Sequence, residues 1–330
     1  MHLETPLTRM LGIAHPVILA AMDVVADARL VRAVGAAGGY GFLGAGYGEE
    51  PWLRRELEAL TAGRDGMAGA AGFGVGFITW SLARQPRLLD IALEARPTAI
   101  WLSFGDPAPF AQRIKSAGAR LVCQVQTLQM AHEAVAAGAD IVVAQGAEGG
   151  GHGVSRSTMT LVPEIVDALG DKALVVAAGG IADGRGLAAA LLLGAAGVVL
   201  GTRLYATTEA AGFPAAKARI VGATGDSTLR GIVFDVSRRN VWPAPFSGRC
   251  LQNAHTEHWS GRELELMRHI QVEGERYAAA RAQGDFDTAA VIAGEAAGLI
   301  HDVPPAAEVI RRMVDSAAGL LARAPQVVVD

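Results

Sequence analysis

The chain has 330 residues, and its 29 lysines and arginines against 33 aspartates and glutamates give a formal net charge of −4. Because this balance lacks the positive excess that holds a phosphodiester backbone, we expect no nucleic-acid partner. Hydrophobic residues make up 51% of the chain and charged residues 19%, which excludes a disordered chain and allows a large core. The two cysteines, Cys123 and Cys250, cannot form a disulfide framework, so we expect a cytoplasmic protein.

No segment of the sequence predicts membrane insertion or export. The longest uncharged stretch, between Arg185 and Arg203, is shorter than the roughly 20 residues that cross a bilayer, and glycines interrupt it. The N-terminal residues carry no apolar run behind positive charges. We therefore expect no membrane partner.

Short runs rich in valine, isoleucine and leucine alternate with alanine-rich stretches of helical period. The runs show little alternation of apolar and polar residues, which is typical of parallel strands covered on both faces. Strands are predicted over Pro16–Ala21, Gly39–Leu43, Gly72–Ile78, Thr98–Ser103, Arg120–Val125, Asp140–Gln145, Ala173–Ala178 and Gly197–Gly201. Helices are predicted to begin near Ala26, Glu50, Leu82, Pro107, Leu128, Leu161 and Gly184 and after Thr202.

Eight strand–helix units in about 200 residues predict an α/β fold, a TIM (β/α)8 barrel. A doubly wound open sheet is the alternative, but the number of units fits the size of the barrel better. The sequence also lacks an early glycine-rich dinucleotide fingerprint followed by an acidic residue for the ribose.

The strand–helix rhythm breaks from about Tyr205. Polar helices are predicted over Gly261–Gln283 and Asp287–Ile300, and a final amphipathic helix follows Pro304 and Pro305. We therefore predict a barrel formed by residues 1–204 and 304–330. Residues 205–303 are predicted to form a smaller, mostly helical domain that covers the substrate.

Two junctions at the C-terminal ends of predicted strands are typical of a phosphate site. One is Ala178-Gly179-Gly180, shortly before the helix at Gly184, and the other is Leu200-Gly201-Thr202. Without Cβ atoms, the backbone N–H groups can approach a ligand closely, and the start of a helix favours an anion. Each junction alone could be an ordinary tight turn. Together they predict a phosphate site, since the last two strands of such barrels commonly form one.

A glycine-rich loop runs from Gln145 to Gly153 and contains His152 near its end. So many glycines allow the loop to lie flat along a planar ligand. We expect a functional role for His152, and a structural hydrogen bond is the alternative. His255 and His258 lack a third ligand at metal spacing, so no metal site is predicted.

These features combine with others into one pattern that covers nearly the whole chain and is weakest from about Tyr205 to Gln283. It resembles the FMN-dependent nitronate monooxygenase family, formerly called 2-nitropropane dioxygenases. Flavin enoyl reductases and NADH:quinone reductases share much of the pattern. The matching motifs are Gln145-Gly-x-Glu148-x-Gly150-Gly151-His152, Ala178-Gly179-Gly180-Ile181-x-Asp183-Gly184-Arg185 and Gly201-Thr202-Arg203, together with His15-Pro16-Val17-Ile18, Met22 and Gly294-Glu295-Ala296-Ala297-Gly298-Leu299-Ile300.

The resemblance implies an FMN at the mouth of the barrel, with His152 as the catalytic residue that faces the substrate. Ala21 and Met22 would contact the flavin ring through backbone atoms, and Gln145 and Gly150 would flank it. The phosphate would be held by the two glycine-containing junctions. The implied cofactor-binding residues are Ala20, Ala21, Met22, Gly76, Gln124, Gln145, Gly150, Gly151, Gly179, Gly180, Leu200, Gly201 and Thr202.

The sequence departs from the family pattern at two places. Relatives usually carry an asparagine at the end of the third strand, where this chain has Gly76, and some carry a lysine at the end of the fifth, where it has Gln124. The aromatic substrate pocket of some relatives is not evident either. Trp242, Trp259 and Tyr277 are candidates for it, with core packing as the alternative.

The resemblance therefore implies oxidation of alkyl nitronates by dioxygen to a carbonyl compound and nitrite, and of nitroalkanes if His152 accepts a proton. The expected partners are a small nitronate or nitroalkane and dioxygen, and the expected assembly is a monomer or homodimer. An FMN-dependent NAD(P)H oxidoreductase acting on a quinone or enoyl substrate is the alternative. A flavin-free barrel enzyme that acts on a phosphorylated metabolite is a third hypothesis.

Overall fold

The computed structural model describes residues 3–62 and 72–324. Eight parallel strands close into a barrel in the order β1-β2-β3-β4-β5-β6-β8-β9, and β1 pairs with both β2 and β9. The predicted TIM barrel is thereby confirmed. The strands are β1 Val17–Leu19, β2 Tyr40–Gly44, β3 Gly74–Ile78, β4 Ala99–Ser103, β5 Arg120–Val125, β6 Ile141–Gln145, β7 Gly151–Gly153, β8 Leu174–Ala178, β9 Val198–Leu200, β10 Thr228–Gly231 and β11 Ser247–Leu251.

Helices surround the barrel and form much of the segment between β9 and the last helix. In the described residues no helix is long and apolar enough to cross a bilayer. The helices are α1 Pro6–Leu11, α2 Ala28–Ala36, α3 Glu50–Thr61, α4 Thr79–Leu82, α5 Arg87–Glu94, α6 Ala108–Ser116, α7 Leu128–Ala136, α8 Thr158–Leu169, α9 Gly184–Leu192, α10 Thr202–Tyr205, α11 Pro214–Val221, α12 Val233–Ser237, α13 Ala254–Trp259, α14 Glu263–Arg268, α15 Ile270–Gln283 and α16 Ala306–Arg323.

Two hydrophobic layers hold the barrel together. Inside it, Tyr40, Phe42 and Trp101 pack with ring centroids 5.0 Å apart at each contact. Gly74 makes room for this stack, since a Cβ there would come within 2.2 Å of the Phe42 ring. The outer layer lies between the strands and the helices, where valine, leucine and alanine side chains are almost fully buried.

Some helix predictions differ from the structure. The helix predicted near Leu82 is two helices, α4 and α5, because Pro86 cannot continue the first one. The prediction of a helix over Asp287–Ile300 is wrong, since that segment is irregular apart from a 3-10 turn at Glu295–Leu299. The N–H of Gly294 donates to a barrel residue instead of a helical carbonyl, and this holds the segment against the barrel mouth.

A small antiparallel sheet joins the barrel to the segment 205–303. Its strand order is β10-β11-β7, and β7 belongs to the glycine-rich loop after β6. Ser247 pairs with Gly153, and Gly248 pairs with His152. The sequence predicts a loop here, but β11 supplies the partner that makes it a strand. The division into two domains near residue 205 stays a prediction.

The last helix, α16, packs on α9 and α2. Gly184 allows the close approach of α9, because a Cβ there would come within 2.6 Å of the Ala317 nitrogen. On the other side, Ile310 is fully buried and reaches toward Gly39 at the start of β2. The helix therefore covers barrel surface that would otherwise be exposed.

Ile310→Ala tests this packing. Removing three buried carbon atoms should lower the free energy of unfolding by about 2–5 kcal/mol, the usual cost of such a cavity. Leu192→Ala on α9 is the control, since Leu192 is 70% exposed and surface changes usually stay within about 0.5 kcal/mol. Denaturant unfolding of both variants measures the difference, and equal losses would contradict the packing.

Candidate active site

A cavity of about 380 Å³ lies at the C-terminal ends of the barrel strands, under the segment 205–303. The structure brings His152 and nearly all of the predicted cofactor-binding residues into its walls. Leu200 is different, because its side chain is fully buried between strand and helices. Its carbonyl oxygen accepts a hydrogen bond from the Ala20 N–H at 3.0 Å, so Leu200 supports the site through β1.

One end of the cavity presents unpaired backbone donors. Gly179, Gly180, Gly201 and Thr202 all line it, and their N–H groups have no acceptor in the described part of the chain. We call these four groups the phosphate nest. Gly179 and Gly180 have φ values of +102° and +73°, which only glycine adopts readily. Backbone donors that share a concave surface are typical of anion sites.

A side-chain hydroxyl adds a further donor to the nest. Thr202 Oγ1 accepts a hydrogen bond from the Gly294 N–H at 2.9 Å, which leaves the threonine hydroxyl proton free to donate. A Cβ built on Gly201 would project toward Ala20 and Met22 and would meet no protein atom closer than 3.8 Å. A Cβ on Gly201 would therefore only touch its protein neighbours, and the donors of the nest suit a phosphoryl group.

Charged side chains hold the glycine-rich loop in place. Glu148 accepts a hydrogen bond from the Thr158 N–H at 3.0 Å, at the N-terminus of α8. From the other side, Arg230 and Arg249 each donate to the carbonyl oxygen of Ala147 at 2.9 Å. Burial and the charge of Arg249 lower the pKa of Arg230 to about 10, so Arg230 keeps its charge at neutral pH. Glu148, which belongs to the family motif, thus fixes the loop.

His152 lies in β7 and forms a buried pair with Asp235 of α12. The His152 Nε2 and Asp235 Oδ2 atoms are 2.9 Å apart, and the side chains are 8% and 4% exposed. A neutral ring that donates from Nε2 to the carboxylate carries its lone pair on Nδ1. Nδ1 has no hydrogen-bond partner among the described residues. The pairing therefore leaves Nδ1 to act on a molecule in the cavity.

Burial lowers the pKa of His152, because desolvation disfavours the imidazolium form. The hydrogen bond and the charge of Asp235 act in the opposite direction, while Arg238 and Arg230 add to the lowering. The net direction is downward. The ring is therefore largely neutral at pH 7 and able to accept a proton.

Aromatic rings enclose His152. Trp242 stacks on the imidazole, with 3.3 Å between ring centroids and an interplanar angle of 7°. Phe234 and Phe104 approach edge-on, with centroids 5.6 Å and 6.2 Å from the imidazole. Trp242 is itself fixed, since its Nε1–H donates to the Tyr47 hydroxyl at 2.9 Å. This cluster of four aromatic residues, the aromatic wall, makes the surroundings of His152 mostly apolar.

The three aromatic candidates from the sequence thus have different positions. Trp242 and Tyr277 line the cavity. Trp259 packs instead in a small separate core with Val233 and Leu266. Trp259 is therefore a core residue and does not contribute to the cavity.

An uncharged hydrogen-bonded array stands where some relatives carry a lysine. Gln145 Oε1 accepts from Gln124 Nε2 at 2.5 Å and from Gln126 Nε2 at 2.8 Å. Ser103 Oγ donates to Gln124 Oε1 at 3.3 Å. Because its oxygen takes both donors, the amide N–H groups of Gln145 remain to donate elsewhere.

Gly76 lines the cavity at the place where relatives usually have an asparagine. A Cβ there would lie 2.2 Å from the Cβ of Ala21. The β1 end therefore occupies the space that a side chain on β3 would need. This packing explains the departure from the family pattern.

Sequence reasoning missed Asp235, Tyr47 and Phe234. All except Asp235 line the cavity, and Asp235 contacts His152 directly. Asp235 follows His152 by 83 residues, in a segment whose sequence carries no motif. Phe104 follows a predicted strand end at the catalytic face, and it also lines the cavity.

A family profile described as nitronate monooxygenase matches residues 4–66 and 78–316. The chain belongs to the nitronate monooxygenase family. It is 38% identical to the nitronate monooxygenase npaC of Metarhizium robertsii, over 92% of this chain and 91% of that protein. The resemblance seen in the motifs is confirmed, and the chain is an oxidoreductase and a flavoenzyme, as members of this family are.

Solved structures agree with this family. FabK from Thermotoga maritima superposes with a TM-score of 0.84 at 27% identity, over 99% of this chain and 100% of that one. A nitroalkane oxidase from Streptomyces ansochromogenes superposes with a TM-score of 0.77 at 25% identity, over 95% and 98%.

Gly201→Ala tests the phosphate nest. The added methyl group projects toward Ala20 and Met22, two of the predicted cofactor-binding residues, so flavin affinity should fall by roughly tenfold or more. The fold should persist, because the nearest protein atoms are 3.8 Å from the new Cβ. Titrating flavin into the apoprotein and following its fluorescence gives the Kd.

Gly319→Ala is the matched control, since a Cβ there meets nothing within 4 Å and Gly319 lies in α16. Unchanged flavin affinity in Gly201→Ala would mean that the nest is misplaced. Gly180→Val is a weaker test, because the φ of +73° strains any branched side chain.

Asp235→Asn tests the pair with His152. Removing the carboxylate removes an influence that raises the pKa of His152. That pKa should therefore fall further, and the pH midpoint of kcat/KM for a proton abstraction should move to lower pH. The rate constant itself should fall by roughly 100-fold, the lower end of a general-base contribution. The exposed Asp226→Asn serves as control, and an unmoved midpoint in Asp235→Asn would contradict the pairing.

Proposed function

We propose that the protein oxidises small alkyl nitronates with dioxygen, to a carbonyl compound and nitrite, using FMN bound in the cavity. The observation that carries this proposal is the joining of two features in one cavity: the phosphate nest and the buried His152–Asp235 pair. The family supports the reaction type.

The residues present fit FMN. The four donors of the phosphate nest and the Thr202 hydroxyl suit a single phosphate. Ala21, Met22, Gln145 and Gly150 line the rest of the cavity, where they would hold the ring. When bound, FMN would supply the redox chemistry of the reaction, the transfer of electrons from the substrate to dioxygen.

His152 performs the part of the reaction that this chain can supply directly. A nitronate is already an anion, so no proton has to be removed before it reacts. A neutral nitroalkane must lose a proton from the carbon that bears the nitro group, and His152 Nδ1 would accept it. Asp235 then stabilises the imidazolium through Nε2, and the face of Trp242 adds a cation–π contact. When Nδ1 is protonated, it can donate to the nitro oxygens and orient a nitronate.

The cavity favours small substrates. Bound FMN would take up much of its volume of about 380 Å³, which leaves little room for a substrate. The aromatic wall offers an apolar surface to an alkyl chain, while the amide N–H groups of Gln145 offer a polar one. We therefore propose short alkyl nitronates as the best substrates.

Anaerobic mixing tests the function. The flavin absorbance should bleach rapidly with propyl nitronate and slowly or not at all with NADH. Bleaching by NADH alone would overturn the proposal and favour the reductase alternative. A protein purified without flavin that cannot be reconstituted would overturn it as well.

FMN is the expected cofactor, because the cavity holds one compact phosphate nest and the barrel offers no dinucleotide-binding motif in its sequence. Heat denaturation should release the flavin, and chromatography should identify it as FMN. Recovery of mainly FAD would contradict this assignment. Reconstituting the apoprotein with each cofactor in parallel gives the affinity ratio directly.

His152→Asn separates the two roles of the side chain. Asparagine keeps a hydrogen-bond donor but removes the base, so turnover of neutral nitroalkane should fall by about 100- to 10,000-fold. Nitronate turnover should fall much less. In the unaltered protein, kcat/KM for nitroalkane should rise with pH through a midpoint below about 6.5, since burial lowers the pKa of His152 and the neutral ring is the base.

This ascending limb should disappear in His152→Asn. Measuring kcat/KM for both substrate forms across pH, in both proteins, decides the matter. Equal losses for nitronate and nitroalkane would exclude the base role. No loss with either substrate, with flavin fully bound, would remove His152 from the mechanism.

A further inference from the structure

A series of hydrogen-bonded side chains crosses the floor of the cavity from β4 to β6. Trp101 and Ser103 are two residues apart on β4, so their side chains lie on the same face of the strand. Gln124 on β5 is the register partner of Ser103, and Gln145 ends β6. All four side chains line the cavity. We call these four residues the relay.

Trp101 sets the direction of every hydrogen bond in the relay. Its indole N–H can only donate, and it donates to Ser103 Oγ at 2.7 Å. The Ser103 proton then goes to Gln124 Oε1, its one acceptor among the described residues. Because its oxygen accepts, Gln124 has to donate from Nε2 to the oxygen of Gln145. The amide of Gln145 is therefore held with its nitrogen away from the relay.

The amide nitrogen of Gln145 is a donor without a protein acceptor. No atom in the part of the chain that the structure describes accepts a hydrogen bond from Gln145 Nε2. Gly149 leaves this nitrogen uncovered, since a Cβ built there would come within 3.1 Å of it. An N–H group at a ligand site that has no protein acceptor is satisfied by an oxygen or nitrogen atom of the ligand.

The opposite arrangement of the amides is opposed by one hydroxyl group. Gln126 Oε1 is buried without a hydrogen-bond partner among the described residues, although Gln126 Nε2 donates to Gln145. If the three glutamine amides turned over together, Gln145 Nε2 would donate to this oxygen. The Ser103 proton would then lose its acceptor, Gln124 Oε1. Each arrangement leaves one buried polar group unpaired, so the Ser103 hydroxyl decides between them.

We propose that Trp101 and Ser103 are positioning residues that hold a Gln145 N–H toward a pyrimidine oxygen of the flavin and thereby favour the reduced cofactor. The proposal rests on flavin binding in the cavity, which belongs to the proposed function. Reduction adds negative charge to the ring, and a hydrogen bond to a charged acceptor is the stronger one. The relay thus supplies a fixed dipole beside Gln124, where some relatives carry a lysine. Gln145 has two amide protons, so one remains for the substrate.

Ser103→Ala tests the relay. Without the hydroxyl group the amides should turn over, and the Gln145 oxygen should replace its N–H at the ring. The ratio of the affinities for reduced and oxidised flavin should fall by roughly tenfold or more. A tenfold loss corresponds to a midpoint potential about 30 mV lower for a two-electron couple. Spectroelectrochemical titration of the flavin-loaded protein measures the potential, and titration of the apoprotein measures the affinity for oxidised flavin.

Three further variants separate positioning from a general loss of packing. Ser103→Thr keeps the hydroxyl group and should keep the potential of the unaltered protein. Ser81→Ala is the matched control, because the buried Ser81 hydroxyl donates to the Tyr47 carbonyl oxygen outside the relay. Gln124→Met interrupts the relay at its next member without adding charge and should also lower the potential. The double variant Ser103→Ala/Gln124→Met should lower it no further than the larger single effect, since both changes interrupt one network.

An unchanged or raised potential in Ser103→Ala, with flavin bound, would overturn the proposal. Additive effects in the double variant would overturn it as well, because they would mean two independent contacts. If Ser103→Ala does not fold, an unchanged potential in Gln124→Met has the same meaning. Nitronate turnover is measured separately in the unaltered protein. A protein whose variants shift the potential as expected but which does not oxidise nitronates would refute the proposed function alone.

Discussion

The position of His152 depends on the antiparallel pairing of β7 with β11, in which Gly248 lies opposite His152. Gly248 has no side chain to keep Phe234 away, since a Cβ there would come within 2.1 Å of that ring. The close packing of Phe234 brings α12 against the sheet, and the next residue, Asp235, reaches His152 Nε2. The absence of a Cβ at Gly248 thus allows the glycine-rich loop, the aromatic wall and the buried His152–Asp235 pair to pack together. The barrel alone provides the phosphate nest, but the proposed acid–base pair of His152 and Asp235 forms only through this sheet.

The site is built at an energetic cost that the surrounding packing offsets. Asp235 Oδ1 is buried without a hydrogen-bond partner among the described residues, and a half-satisfied carboxylate is unfavourable in an apolar environment. Phe104 and Val24 both line the cavity with φ near +63°, a conformation that costs of order 1–3 kcal/mol for residues with a Cβ. Strain and burial are concentrated around the cavity. They keep the rings and the carboxylate in one arrangement before the substrate arrives.

The sequence predicted the barrel well, because parallel strands buried on both faces leave continuous apolar runs and their helices end in glycine. The nest residues were also predictable, since a positive φ or a close backbone approach requires glycine whatever the rest of the chain does. Asp235 could not be predicted, because a buried carboxylate that pairs across 83 residues leaves no local pattern. The same is true of β7, which is a strand only because β11 lies beside it. The helix prediction for Asp287–Ile300 was wrong for a related reason. The apolar residues of this segment pack on the barrel mouth without helical hydrogen bonds.

The order of these elements along the chain has a consequence for biosynthesis. The ladder between β1 and β9 that closes the barrel is complete once residue 200 has been made. His152 precedes that point, yet it gains its carboxylate only with residue 235 and its strand partner only with residues 247–251. A nascent chain can therefore form a closed barrel while His152 still lies on a glycine-rich loop that has no strand partner. The contacts on which the proposed proton transfer depends are therefore made late in translation, after the strands of the barrel, and a chain that ends between these points lacks them.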